Sequence, residues 1–176
     1  MKTSLKVSIG GAVAALGLVL MFLTSLVPVG TYAFPTFAGI LLVIIVIEIG
    51  YSFALSVFAA TALLSFLLVS DKEAALLYAM FLGYYPILKA LIERIRNNVL
   101  QYAVKFALFN ACMIGAFYIA VFLLSIPEES FNLFGVYLPW VFLIIGNVFF
   151  LFYDFCITRL VTLYLMKWHD KLNRKF

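Results

Sequence analysis

All but one of the twelve Lys and Arg residues of this chain fall on one side of a membrane when it is threaded through six times. With the N-terminus inside, Lys2, Lys6, Lys89, Arg94, Arg96, Lys105, Arg159, Lys167, Lys171, Arg174 and Lys175 gather at the cytoplasmic face, and Lys72 alone lies outside. Basic side chains in short loops resist translocation, so a wrong span count would scatter them over both faces. The pattern predicts an all-α fold: one integral membrane bundle of six transmembrane helices with both the N-terminus and the C-terminus cytoplasmic. Composition agrees, because 66% of residues are apolar and only 11% charged, against roughly a quarter charged in soluble domains. Lipid must solvate part of that apolar surface. A multi-pass place in a cell membrane follows, of the bacterial cytoplasmic kind. The net charge of +4 suits anionic lipid headgroups and calls for no nucleic acid.

The spans can be read from apolar runs and their punctuation. The first covers about 8–27. Thr31-Tyr32-Ala33 offers a weak cleavage site, but the apolar run exceeds the roughly 7–15 residues of a signal core, so it reads as a retained span. Pro28, Gly30 and Pro35 then mark a short outer loop. From Thr36 to Val69 the chain is apolar almost without pause, about 51 Å as one helix, against a hydrocarbon core of ~30 Å. It must break at Glu48-Ile49-Gly50, giving spans of 36–48 and 51–69. Ser70-Asp71-Lys72-Glu73 has the spacing of a capping box and should open a fourth span over 74–92. Pro86 cannot donate to the Leu82 carbonyl and should bend that helix. Beyond the bend, Ile87, Leu91, Ile95 and Val99 share a stripe, which predicts an amphipathic inner helix over about 87–101. The fifth span is expected over 106–125, after Lys105. An acidic outer loop follows from Glu128, and the sixth span covers 139–158, with Pro139 suiting a first helical turn and the helix continuing inward to about Trp168.

Few residues in this pattern carry chemistry. Small residues four apart let helices approach closely, and two helices have them. Gly10, Gly11, Ala12, Ala14 and Ala15 lie in the inner half of the first span, where a partner can dock. Ala103, Ala107, Ala111 and Gly115 line the fifth span and are expected to pack within the bundle. Asp154 is costly in a membrane helix, about 2.5–3.5 kcal/mol at the centre, so it needs a partner. Lys89, Arg94 or a neighbouring Arg159 are the candidates, with Asn147 and Thr158 on its face. Glu48 reads as a capping or ion-paired acid at the inner turn. Tyr78, Tyr84, Tyr85, Asn110 and Asn147 are polar handles at membrane depth, some of which can line a cavity. Cys112 and Cys156 read as buried small apolar residues. His169, in the basic tail, has no oriented partner. No catalytic constellation, phosphate loop or metal-ligand spacing appears, so neither an enzyme, nor a cofactor, nor a metal site is expected.

Six spans in 176 residues, both ends inside, and the small-residue cluster of the first helix together resemble the substrate-binding S component of energy-coupling factor transporters. In that family, small residues of the first helix pack on the coupling helices of an energising transmembrane subunit, itself joined to ATPase subunits. The matching residues here are Gly11 and Ala15, with Gly10, Ala14 and Ala12 as an alternative register. The resemblance also implies a small-molecule ligand taken from the outer side, under the loops Pro28–Pro35 and Pro127–Leu138, with Thr31, Tyr32, Tyr84 and Asn110 as candidate cavity residues. The first loop is very short for a lid, and no charged residue stands at mid-membrane in the outer half. A neutral or largely apolar ligand suits that best. The other reading is a scaffold without transport, recruiting envelope or cell-shape proteins through its inner amphipathic segment and basic tail.

Overall fold

The computed structural model describes residues 3–27, 30–123, 132–133, 136–137 and 139–166. Its helices are α1 (Thr3–Thr24), α2 (Gly30–Glu48), α3 (Tyr51–Leu68), α4 (Lys72–Leu77), α5 (Tyr85–Ile92), α6 (Asn98–Phe122) and α7 (Pro139–Tyr164). A π-helical turn, Tyr78–Leu82, joins α4 to α5, and a two-residue antiparallel hairpin, Asn132–Leu133 with Val136–Tyr137, precedes α7. Among the described residues, six helical stretches are long and apolar enough to cross a membrane, with α4, the π turn and α5 together forming the fourth. The chain is a multi-pass membrane protein. Of the basic residues expected inside, Lys6, Lys89, Arg94, Arg96, Lys105 and Arg159 lie in described segments; Lys2 and those from Lys167 onward lie outside them.

Burial decides the layout. The fourth span is the most enclosed, and α2 touches α1, α3, all three parts of the fourth span, and α7. Around these two spans, α1 and α3 pack on one side, and α6 and α7 on the other. Between α1, α2, α3 and α5 the core holds Val13, Leu42, Ile45, Ala54, Val57 and Ile87. An aromatic core fills the other side: Phe81 stacks on Tyr85 and Phe109 on Phe150, each pair with ring centroids 4.8 Å apart. The outer surface is apolar, with Leu16, Phe122, Phe149 and Phe152 exposed, as expected where lipid is the solvent.

Several boundaries differ from the sequence expectation for identifiable reasons. Thr31, Tyr32 and Pro35 belong to α2 rather than to a loop. Proline's fixed φ suits a helix, and near the N-terminus few internal bonds are lost. The turn between α2 and α3, by contrast, falls where the sequence placed it, at Gly50, whose φ of 113° favours glycine. Asp71, not Ser70, caps α4, accepting from the Ala74 amide at 3.0 Å. The amphipathic helix expected over 87–101 is not one helix: α5 stops at Ile92, and α6 begins at Asn98. Asn97 caps α6 through the Val99 and Leu100 amides, and Gln101 ties back to the Ile95 carbonyl at 2.6 Å. The fifth span therefore starts well before 106.

The fourth span breaks before Pro86 rather than bending through it. Gly83 donates to the Tyr78 carbonyl at 2.8 Å, the longer step of a π turn, and Pro86 sits in the first turn of α5. The Leu82 carbonyl, which Pro86 cannot serve, accepts instead from the Tyr153 hydroxyl at 2.9 Å. A Cβ added at Gly39 would run into that same carbonyl and the Tyr153 hydroxyl. Glycine at 39 thus lets α2 lie directly on the broken backbone.

Candidate functional site

Four charged residues of the last three spans converge. Lys89 on α5 and Glu93, the residue that ends it, are one helical turn apart, and their side chains meet at 2.5 Å. Because the chain reverses between Ile92 and Asn98, Lys105 on α6 comes back to the same level and reaches Glu93 at 2.9 Å. Asp154 on α7 completes the group. Its Oδ1 accepts from Lys89 Nζ at 2.5 Å and from Lys105 Nζ at 3.0 Å, while Oδ2 takes Lys105 at 3.1 Å. The Tyr85 hydroxyl donates to the same Oδ1 at 2.5 Å.

Two cations and two anions make the cluster neutral, and Lys89, Lys105 and Asp154 are 2%, 3% and 6% exposed. Charges this enclosed persist only when compensated, because each costs several kcal/mol to desolvate. Glu93 is the exception in burial: its side chain is 39% exposed. The ionic contacts join α5, α6 and α7 at this level. Among the described residues, no His, Cys, Asp and Glu grouping could hold a metal ion.

Of the partners proposed for Asp154, Lys89 is in contact; Arg94 and Arg159 are elsewhere. Arg94 lies over the Tyr51 ring, 5.1 Å from its centroid, and donates to the Tyr51 hydroxyl at 2.9 Å. Arg159 lies over Phe155 at 5.0 Å. Glu48 accepts from the Tyr164 hydroxyl at 2.8 Å, joining α2 to α7. Asn147 is not in the ionic cluster; it exchanges hydrogen bonds with Asn110 at 2.9 and 3.0 Å, and each amide also donates to the carbonyl four residues back. Lys105 and Tyr85 were not foreseen as partners of Asp154, nor Glu93 as the second acid binding the same lysines. For Lys105 the signal was present: it is in helical register with Phe109, Ala116 and Ala120, the buried face of α6.

The residues considered for a ligand cavity fall in three places. Thr31 donates to Asp71 at 2.9 Å, and Tyr32 to Glu73 at 2.8 Å, tying the start of α2 to the start of α4. Lys72 beside them donates to the Phe66 and Val69 carbonyls at 2.6 and 2.8 Å, closing the end of α3. Tyr84 donates to the Met80 carbonyl at 2.5 Å and touches Cys112 Sγ at 3.0 Å. Asn110 is joined to Asn147. The loop Pro127–Leu138 lies outside the described residues apart from its hairpin strands.

The small residues of α1 divide between two faces. Gly10 packs inward, where a Cβ would strike the Phe53 ring at 2.6 Å, and Gly17 lies against Thr61. Ala14 is half-buried beside the α1–α3 core. Gly11, Ala12 and Ala15 face outward, with nothing within 4 Å of a Cβ at Gly11. On α6 the expectation of internal packing is overturned: Ala103, Ala107 and Ala111 are exposed, while a Cβ at Gly115 would lie 3.4 Å from Met80. The buried face of α6 is the one carrying Lys105. Cys156 is also exposed rather than buried, since Tyr153, Asp154 and Ile157 occupy the inward face of α7.

Comparison with known proteins adds no family. No family model, curated protein or solved structure matches this chain. The fold is that of a six-span, all-helical membrane protein, of the structural class to which membrane transport components belong.

Proposed function

We propose that the protein is the membrane-embedded, substrate-binding component of an uptake transporter of the energy-coupling factor type. It is not itself an enzyme: it presents a bound small molecule while a partner carrying ATPase subunits supplies the energy. The observation that carries this reading is the division of small residues on α1. Gly10 and Gly17 are used within the bundle, whereas Gly11, Ala12 and Ala15 form an outward patch, with Gly11 and Ala12 in the half of α1 nearest its N-terminus and Ala15 just past the middle. Such a patch lets a second helix approach closely. Both termini are cytoplasmic in this proposal, so the patch faces the inner half of the membrane, where an energising subunit would dock. The ligand would enter from the opposite end, near Thr31 and Tyr32.

The test is complex formation. Gly11→Leu and Ala15→Leu should abolish co-purification with an ATPase-bearing complex while leaving the isolated protein folded, because both sites open outward. Ala107→Leu, on the exposed α6 face, should leave the complex intact. Complexes that survive the α1 substitutions, or preparations that never contain an ATPase module, overturn the transport reading.

One observation favours the second reading, a scaffold without transport. Thr31, Tyr32, Tyr84 and Asn110 each find a partner within the chain and do not converge on a shared space. A scaffold would co-purify with envelope or cell-shape proteins and retain no small molecule in mild detergent.

A further inference from the structure

The ionic cluster has a consequence for the basic residues that remain outside it. Lys89 and Lys105, although they belong to the positive end of the bundle, are buried and neutralised by Asp154 and Glu93. They contribute little to the surface field there. Arg94 and Arg96, in the corner between α5 and α6, are exposed, and among the described residues neither has an acidic partner. Arg94 is held in place by Tyr51, whose ring and hydroxyl orient the guanidinium without cancelling its charge. On either side of these cations in the chain, at the end of α5 and the start of α6, Leu91, Val99 and Leu100 are 40%, 79% and 49% exposed. The corner thus pairs two uncompensated guanidinium groups with an apolar shelf on the adjoining helix ends.

We propose that the α5–α6 corner is a binding site for an anionic phospholipid. Arg94 and Arg96 engage the headgroup phosphate, and Leu91, Val99 and Leu100 lie along the upper acyl chains. Charge complementarity selects this occupant: two uncompensated cations favour a headgroup of net negative charge, and the neighbouring apolar surface would be useless to a free anion. A zwitterionic lipid carries the same phosphate but repels the arginines with its ammonium group. The site is independent of the transport proposal, since it holds whether or not α1 docks a partner.

Native mass spectrometry of the purified full chain tests this, using micelles doped with equal amounts of phosphatidylglycerol and phosphatidylcholine of the same acyl chains. Phosphatidylglycerol should be retained preferentially. Replacing both arginines, Arg94→Gln with Arg96→Gln, should reduce the preference by about fivefold per arginine, as expected from a surface contribution of about 1 kcal/mol each. The pair Arg94→Lys with Arg96→Lys should keep most of it, which guards against mere loss of folding. Arg159→Gln, which removes a cation elsewhere at the same end, should leave it unchanged. Glycerol phosphate should not compete at equal concentration. Absence of a phosphatidylglycerol preference, an unchanged preference in the double Gln variant, an equal loss in Arg159→Gln, or full competition by glycerol phosphate would each overturn the proposal.

Discussion

Asp154 shows why an expensive residue can be kept in a membrane helix. Four ionised side chains and the Tyr85 hydroxyl meet there, so no charge is left alone in a medium that penalises isolated charge. Removing one member should therefore cost more than its own bonds. Asp154→Ala leaves Lys89 and Lys105 sharing Glu93, and the loss expected for an uncompensated buried charge is about 3–5 kcal/mol. Thermal unfolding in detergent measures it. Replacing Lys105 by Met in the same chain restores neutrality and should recover part of the loss. An unchanged melting point in Asp154→Ala would mean that water already reaches the carboxylate. Tyr153→Phe makes a smaller, separate test. It orphans the Leu82 carbonyl that Pro86 cannot serve, and a buried unpaired acceptor costs about 1–3 kcal/mol.

At the scale of elements, close approach separates glycines that look alike in the sequence. α2 lies on the interrupted fourth span at Gly39, where an added Cβ would overlap the Leu82 carbonyl. Backbone cannot swing aside as a side-chain tip can, so Gly39→Ala should lower the unfolding temperature. At Gly11, by contrast, a Cβ meets nothing. Gly11→Ala should be neutral or stabilising in the isolated protein, by up to about 1 kcal/mol of helix propensity. If the two variants unfold alike, the packing of α2 on the π turn is wrong. The small stripes carry the same lesson. The sequence shows that Gly10, Gly11, Ala103 and Ala107 are small and helically spaced, but not which stripe is used internally. Gly10 is, while Gly11 and the α6 alanines are not. That choice belongs to the neighbouring helices.

The orientation of the whole molecule can be tested from outside the cell. With Cys112 and Cys156 replaced, a single cysteine at Ser70, which is exposed between α3 and α4, should react with an impermeant thiol reagent in intact cells. One at Asn98, in the exposed α5–α6 corner, should react only after permeabilisation. Labelling of Asn98 from outside would reverse the orientation drawn from the basic residues and move the α1 patch to the wrong side for an energising subunit.

Much of the fold was legible in the chain itself. Apolar runs long enough to span, the break at Glu48-Ile49-Gly50, and the proline in the fourth span are local properties, set by solvation and backbone chemistry one residue at a time. They determined an all-helical six-span membrane protein, and α3 was placed within a residue of its observed end. Other boundaries moved because hydropathy treats every charge as a barrier. Lys105 marked the flank of the fifth span only so long as it was assumed to be solvated. Once Asp154 and Glu93 neutralise it, the helix runs through it to Asn98. Which acid meets which base, which carbonyl Tyr153 completes, and which face of α1 and α6 is left to lipid or a partner were decided only in three dimensions. These are relations between residues up to 116 positions apart, as between Glu48 and Tyr164, and local sequence carries no signal for distances that only packing creates.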